Sequence, residues 1–67
     1  MISITVNGND LQVEESLTVS VFLERQGYSA VRIAVELNGS ILPKSAYSQT
    51  VLKENDRMEV VSFVGGG

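Results

Sequence analysis

The residues best placed to do chemistry are the last three, Gly65, Gly66 and Gly67, which follow the apolar segment VSFV at 61–64. Glycine loses more conformational entropy on ordering than other residues, and no helix or strand follows to use its freedom. One interpretation is a frayed chain end. The other is an arm without Cβ atoms, thin enough to carry the α-carboxylate of Gly67 into another protein's active site. The uncharged, all-glycine composition favours the arm.

A phosphate-binding loop is a third interpretation of the glycine run. Such loops need a helix N-terminus directly after the glycines, because its aligned N–H groups and dipole hold the phosphate. No such helix follows Gly67. The sequence therefore predicts no phosphate site here.

The composition lacks most catalytic side chains. The 67 residues contain no His and no Cys, so a histidine base, a thiolate nucleophile, a disulfide and a His–Cys zinc cluster are all excluded. The net charge is −3, and the five basic residues are scattered, which argues against a nucleic-acid partner. We therefore expect no enzyme, no catalytic residue, no cofactor and no metal site.

The chain start and the hydropathy pattern bear on location. The opening MISITV alternates apolar and polar residues, which is typical of a strand rather than a signal peptide. No apolar run approaches the ~20 residues of a membrane-spanning helix. The sequence therefore predicts a cytoplasmic protein with no membrane partner. The oligomeric state does not follow from these features, and we expect a monomer when the protein is free.

Two other motifs have ordinary interpretations. Asn38-Gly39-Ser40 matches a glycosylation acceptor, but a hairpin turn is the preferred interpretation. The acidic groupings Glu14-Glu15 and Glu54 with Asp56 lack the spacing and extra ligands of a metal site. We interpret them as solvated loop charge.

The first half of the chain predicts a hairpin and a helix. Ile2, Ile4 and Val6 alternate with polar residues, Asn7-Gly8 suits a tight turn, and Leu11 and Val13 resume the alternation. A helix of about two turns follows, with Thr18 as N-cap and Gly27 as its stop. Its apolar stripe consists of Val19, Phe22 and Leu23.

The second half predicts three strands. Period-2 alternation resumes at Val31 and runs through Ile33, Val35 and Leu37 to a second turn at Asn38-Gly39. A short strand at Ile41 and Leu42 ends at Pro43. Residues 44–55 lack a period, and the core anchors expected there are Tyr47, Val51 and Leu52. After a turn at 54–56, a final strand is predicted over 58–64.

These elements predict an α+β fold, a mixed sheet of four to five strands packed on one short helix. The domain would span 1–64, with 65–67 as a flexible glycine tail. The expected inward residues are Ile2, Ile4, Val6, Val13, Ile33, Val35, Met58 and Val60, facing Val19, Phe22 and Leu23.

The final strand would then turn Glu59, Val61 and Phe63 outward. Exposed apolar residues at the base of a functional tail indicate a docking surface, to which Val64 would also belong. The alternative is that the loop 44–52 covers Val61 and Phe63.

The whole pattern resembles the sulfur carrier proteins of thiamine (thiazole) biosynthesis, the ThiS family, which are small ubiquitin-like β-grasp domains. The resemblance rests on ITVNG, LTVSVFLERQG, IAVELNGSILPKSAY and LKENDRMEVVSFVGGG. The last block is the most specific, because it ends in Gly66-Gly67. The chain departs from the family at Asn55, where glycine is frequent, and at Val21, where an acidic residue is common. Asparagine also tolerates positive φ, so the turn at Asn55 should survive.

The resemblance implies a mechanism in which the chain is a substrate. A ThiF-type adenylyltransferase, related to ubiquitin-activating enzymes, would adenylate Gly67, and sulfur derived indirectly from a cysteine desulfurase would convert it to a thiocarboxylate (1-thioglycine). A ThiG-type thiazole synthase would then take the sulfur. Gly65 and Gly66 would enter the partner active site, and Val61, Phe63 and Val64 would dock the partner.

Two alternatives remain open. Similar carriers supply sulfur for molybdopterin, cysteine or secondary metabolites, and deleting the gene and asking which nutrient restores growth would separate these pathways. The second alternative belongs to another functional class. It is a ubiquitin-like interaction module that binds partners without sulfur chemistry.

Overall fold

The structure, a computed structural model, describes residues 1–63. It contains one five-stranded sheet in the spatial order β2-β1-β5-β3-β4 and one helix. The elements are β1 (Ile2–Val6), β2 (Asn9–Val13), α1 (Val19–Arg25), β3 (Ile33–Leu37), β4 (Ser40–Leu42) and β5 (Arg57–Ser62), with 3₁₀ turns at Ala30–Arg32 and Lys44–Ala46. The central pair β1·β5 is parallel, and the pairs β1·β2, β3·β5 and β3·β4 are antiparallel. The predicted mixed sheet with one helix is confirmed.

Both hairpins close on Asn-Gly pairs in the left-handed region. Asn7 and Gly8 have φ of 50° and 83°, and Asn38 and Gly39 have φ of 53° and 86°. Positive φ at both central residues matches the right-handed twist of the flanking strands. The two predicted turns are confirmed, and Asn55 likewise has a positive φ of 70°.

The helix begins and ends where its caps predict. The Thr18 hydroxyl oxygen accepts a hydrogen bond from the Val21 N–H at 3.2 Å. At the other end Gly27 has φ of +85°, and the Tyr28 N–H donates to the Leu23 carbonyl at 3.0 Å. This pairing satisfies a helix-terminal carbonyl that otherwise lacks a partner.

The core lies between α1 and one face of the sheet. Its buried residues are Ile4, Val6, Leu17, Val19, Phe22, Leu23, Ile33, Val35, Tyr47, Leu52, Met58 and Val60. The predicted core residues Ile2 and Val13 are only partly buried and pack against its edge.

Two predictions for the core were incomplete or wrong. Val51 was predicted as an anchor but is 41% exposed. The Leu52 N–H donates to the Leu17 carbonyl at 2.8 Å, and this pairing turns Leu52 inward, so its extended neighbour Val51 points outward. Leu17 is buried although no periodic pattern includes it.

Two strand boundaries also differ from the prediction. Val31 belongs to the turn Ala30–Arg32 and is 76% exposed, so β3 begins only at Ile33. The last strand begins at Arg57 and ends at Ser62 instead of spanning 58–64. Val64, together with 65–67, lies outside the described residues.

The loop from Pro43 to Leu52 packs on the helix side of the molecule. The Ser20 N–H donates to the Tyr47 carbonyl at 2.9 Å, and the Val19 N–H donates to the Thr50 carbonyl at 2.8 Å. The Lys44 ammonium donates to the carbonyls of Ala30 at 2.6 Å and Ile33 at 2.5 Å. The loop therefore follows α1 and leaves the opposite face of the sheet uncovered.

Candidate functional site

The candidate site is built on β5, the strand that leads towards the glycines. This strand lies between β1 and β3. Its five aligned pairs with β3 run from Ile33↔Ser62 to Leu37↔Met58. The Phe63 N–H extends this contact by donating to the Arg32 carbonyl at 2.7 Å. The backbone is thus hydrogen-bonded to the neighbouring part of the chain up to Phe63, the last described residue.

The Asn side chains of the two hairpin turns also bond to β5. The Asn7 Oδ1 accepts from the Val60 N–H at 2.7 Å, and its Nδ2 donates to the Val60 carbonyl at 3.3 Å. The Asn38 Oδ1 accepts from the Arg57 N–H at 2.9 Å. Sequence reasoning missed both contacts, because the turn signal of Asn-Gly carries no information about a strand residue that lies 19 or 53 positions further along the chain.

Alternation along β5 separates core from surface. Met58 is fully buried and Val60 is 8% exposed, whereas Val61 and Phe63 are 57% and 53% exposed. The side chains of Val61 and Phe63 therefore point outward, as the alternation predicts. The loop 44–52 does not cover them, because it lies on the helix side.

We call the sheet face that points away from α1 the outer face. On it, Ala34 of β3 is the cross-strand neighbour of Val61, and Glu36 is the neighbour of Glu59. Glu36 also faces Ile41 of β4, which is 72% exposed. Sequence reasoning assigned Ile41 to a strand but not to this surface. The alternation of Ile41 with the half-buried Leu42 is the sequence signal that could have placed Ile41 on the outer face.

The acidic groups considered as metal ligands make hydrogen bonds or ion pairs with other parts of the chain. Glu54 Oε1 accepts from the Ser3 N–H at 3.0 Å, and Asp56 Oδ2 accepts from the Lys53 N–H at 2.8 Å. Glu14 pairs with Arg25 at 2.7 Å. Across 1–63, no three Asp or Glu side chains are grouped in a way that could hold a metal ion. These carboxylates are exposed or half-buried. Glu54 and Asp56 accept hydrogen bonds from the backbone, whereas Glu14 accepts from the Arg25 side chain.

None of the helices in the described part of the chain is long and apolar enough to cross a membrane.

Comparison with known proteins decides the family. The sequence model of the ThiS family matches residues 3–67. The chain belongs to the ThiS family. That match extends through the C-terminal glycines, and the predicted resemblance to these small sulfur carrier proteins is confirmed.

A solved structure has the same fold. The thiamine biosynthesis protein (ThiS) from Geobacter metallireducens superposes with a TM-score of 0.83 at 38% identity, covering 98% of this chain and 100% of the other. The predicted ubiquitin-like β-grasp architecture, a mixed sheet packed on one helix, is thereby confirmed.

Two relatives found by sequence differ from each other in length: this chain covers a small part of one and nearly all of the other. A thiazole synthase of Paramagnetospirillum magneticum is 38% identical over 64 residues, which are 96% of this chain but 20% of that protein. This chain therefore spans about a fifth of that relative. The uncharacterized protein ycf40 of Porphyra purpurea is 33% identical over 66 residues, which cover 98% of this chain and 93% of that protein.

Proposed function

We propose that this ThiS-family chain carries sulfur on Gly67 for thiazole formation in thiamine biosynthesis. The observation that supports this most is the family match that runs to Gly67, on a chain without a His or Cys of its own. The similarity to a thiamine biosynthesis protein and to part of a thiazole synthase favours this pathway over the other uses of sulfur carriers.

The first proposed step activates the terminal carboxylate. A carboxylate is a poor electrophile, so a ThiF-type adenylyltransferase joins it to AMP from ATP and releases pyrophosphate. The acyl-adenylate has a good leaving group. ATP and the catalytic groups belong to the partner, so the chain acts as a substrate and not as an enzyme. The need for ATP fits the cytoplasmic location expected from the sequence.

The second step exchanges oxygen for sulfur. A persulfide sulfur, supplied indirectly by a cysteine desulfurase, attacks the acyl carbon and displaces AMP. Cleavage of the S–S bond by a thiol then leaves the thiocarboxylate on Gly67. A ThiG-type thiazole synthase accepts this sulfur.

In this proposal the parts of the chain have separate roles. Residues 1–64 form the folded body, and Gly65 and Gly66 pass through the partner's narrow channel because they have no side chains. Val61 and Phe63, with Val64 beside them, form the docking surface at the base of that arm. The more than half-exposed side chains of Val61 and Phe63 support this assignment.

The test is an intact-mass measurement on the purified chain. Incubation with the adenylyltransferase from the same genome, ATP, cysteine and a desulfurase should add the mass difference between sulfur and oxygen. Fragmentation should place the change on Gly67. Omitting ATP should abolish it.

The matched variant lacks Gly66 and Gly67. It should keep the thermal unfolding midpoint of the full chain, because the buried core lies within 1–63, and it should gain no sulfur. If the shortened protein still supports thiazole formation in cells, the carrier proposal is wrong.

A further inference from the structure

Two negatively charged side chains are neighbours on the outer face of the sheet. Glu36 on β3 and Glu59 on β5 are direct cross-strand partners. Side chains at such positions have Cβ atoms about 5 Å apart, and like charges there destabilise the sheet. Ile41, on the other side of Glu36, offers no charge to offset the repulsion.

Neither carboxylate has a counter-ion in the described part of the chain. Within 1–63 the ion pairs closer than 4 Å join Glu14 to Arg25 and the N-terminal amine to Glu15. Arg57 lines the same open concavity of about 550 Å³ as Glu36 and Glu59, yet forms no ion pair with either.

Exposed apolar side chains share this face with the acidic pair. Ile41 on β4 is the cross-strand neighbour of Glu36. Val61 follows Glu59 on β5 and Phe63 comes directly after that strand, each with more than half of its surface exposed. A surface of this kind is complementary to a cation within an apolar surround. The long apolar stems of arginine and lysine allow them to contact both parts at once.

We propose that the outer face binds a protein partner that places an arginine or lysine between Glu36 and Glu59 and apolar side chains over Val61 and Phe63. This inference rests on the proposed function, since the partner that fits is the adenylating enzyme that receives the C-terminal arm. Charge complementarity identifies the partner's chemistry: a basic residue relieves a repulsion that the free protein retains.

The arrangement has a consequence that a purely structural role lacks. Neutralising one glutamate removes the repulsion and stabilises the free protein. The same change removes half of the binding site for the cation and weakens the complex. Stability and affinity should therefore move in opposite directions.

The experiment compares Glu36→Gln and Glu59→Gln with the unmodified chain. The unfolding midpoint of each free variant should rise by about 2 °C. The Kd for the purified adenylating enzyme from the same genome, measured by isothermal titration calorimetry at low salt, should rise about fivefold. Added salt should weaken binding of the unmodified chain more than binding of either variant, because surface charge pairs are screened.

The matched control is Glu24→Gln on α1. Glu24 is exposed on the opposite layer, and its replacement changes the net charge by the same amount. Its Kd should stay within a factor of two of the unmodified value. A general charge effect would change all three variants equally and would overturn the proposal.

The experiment distinguishes a failure of the cation site from a failure of the proposed function. The mass change at Gly67 should still appear in both variants when the partner is saturating. Unchanged Kd values with an intact mass change would overturn the cation site and leave sulfur carriage standing. If the unmodified chain binds its partner but gains no sulfur, the proposed function fails, while the affinity comparison still decides the cation site.

Discussion

At the scale of single residues, Tyr47 combines burial with a titratable group. Its side chain is 4% exposed and lies in the core beside α1, where its backbone carbonyl accepts from the Ser20 N–H. Burial raises the pKa of Tyr47 above the ordinary value of about 10, and a hydrogen bond with the Val35 backbone lowers the pKa in part. The phenol is thus held neutral in the folded state.

This raised pKa predicts a loss of stability in alkali. A group with a folded-state pKa above its unfolded value contributes stability that is fully present below the unfolded pKa and is lost as pH rises through the folded one. The free energy of unfolding should therefore fall as pH rises above about 10. Urea unfolding of the unmodified chain and of Tyr47→Phe at several alkaline pH values checks this.

The Phe variant isolates the phenol, because its lysines, arginines and Tyr28 are unchanged. It should lose less stability between neutral and alkaline pH than the unmodified chain. Equal losses would show that another group is responsible for the alkaline unfolding.

At the scale of elements, β5 serves two purposes through its alternation. Met58 and Val60 fill the core, while Val61 and the adjoining Phe63 stay on the outer face. Hydrogen bonds to β1, β3 and the side chains of Asn7 and Asn38 hold the strand on both sides. The proposed docking side chains are therefore presented by, or directly after, a strand that is paired on both sides.

This division predicts that Phe63→Asp affects binding and not folding. Exposed substitutions generally change stability by less than about 0.5 kcal/mol, so the unfolding free energy should stay within that range. The affinity for the adenylating enzyme should fall by about tenfold, as expected for loss of a large aromatic contact. Calorimetric titration and urea unfolding measure the two quantities.

Val21→Asp is the control for the added charge, since Val21 is exposed on α1, in the opposite layer. It should leave partner affinity unchanged. Loss of folding in Phe63→Asp would place Phe63 in the core and remove it from the docking surface.

At the scale of the whole molecule, stability depends on one small core. A chain of about this size buries roughly 60% of the surface that its unfolded form exposes, and this one has no cysteine for a disulfide. The total free energy of unfolding of such a domain is about 5 kcal/mol. A single cavity in the core therefore removes a large fraction of it.

Met58→Ala should lower the free energy of unfolding by about 3 kcal/mol, because Met58 is fully buried between the sheet and α1. Ile41→Ala removes an apolar side chain that is 72% exposed and should cost less than about 0.5 kcal/mol. Urea unfolding at neutral pH compares the two. A comparable loss in Ile41→Ala would mean that Ile41 is covered in solution, for example by a second copy of the chain.

The sequence by itself determined the local features. The Asn-Gly turns, the Thr18 cap and the Gly27 stop follow from backbone geometry that neighbouring residues set, and period-2 alternation directed Ile4, Val35 and Met58 inward. The resemblance to the ThiS family, on which the proposed role of the glycines rests, was also visible in the sequence blocks, and the match of the family model to residues 3–67 confirms it.

Tertiary structure decided what depends on distant pairing. The register of β3 with β5 brings Glu36 opposite Glu59, and nothing within either strand specifies that encounter. The contacts of the loop 44–52 with α1 bury Leu52, expose Val51 and leave Val61 free, a choice that its aperiodic sequence does not encode locally. Strand order and loop side are set by which arrangement buries the most apolar surface around α1, and that is a property of the whole chain.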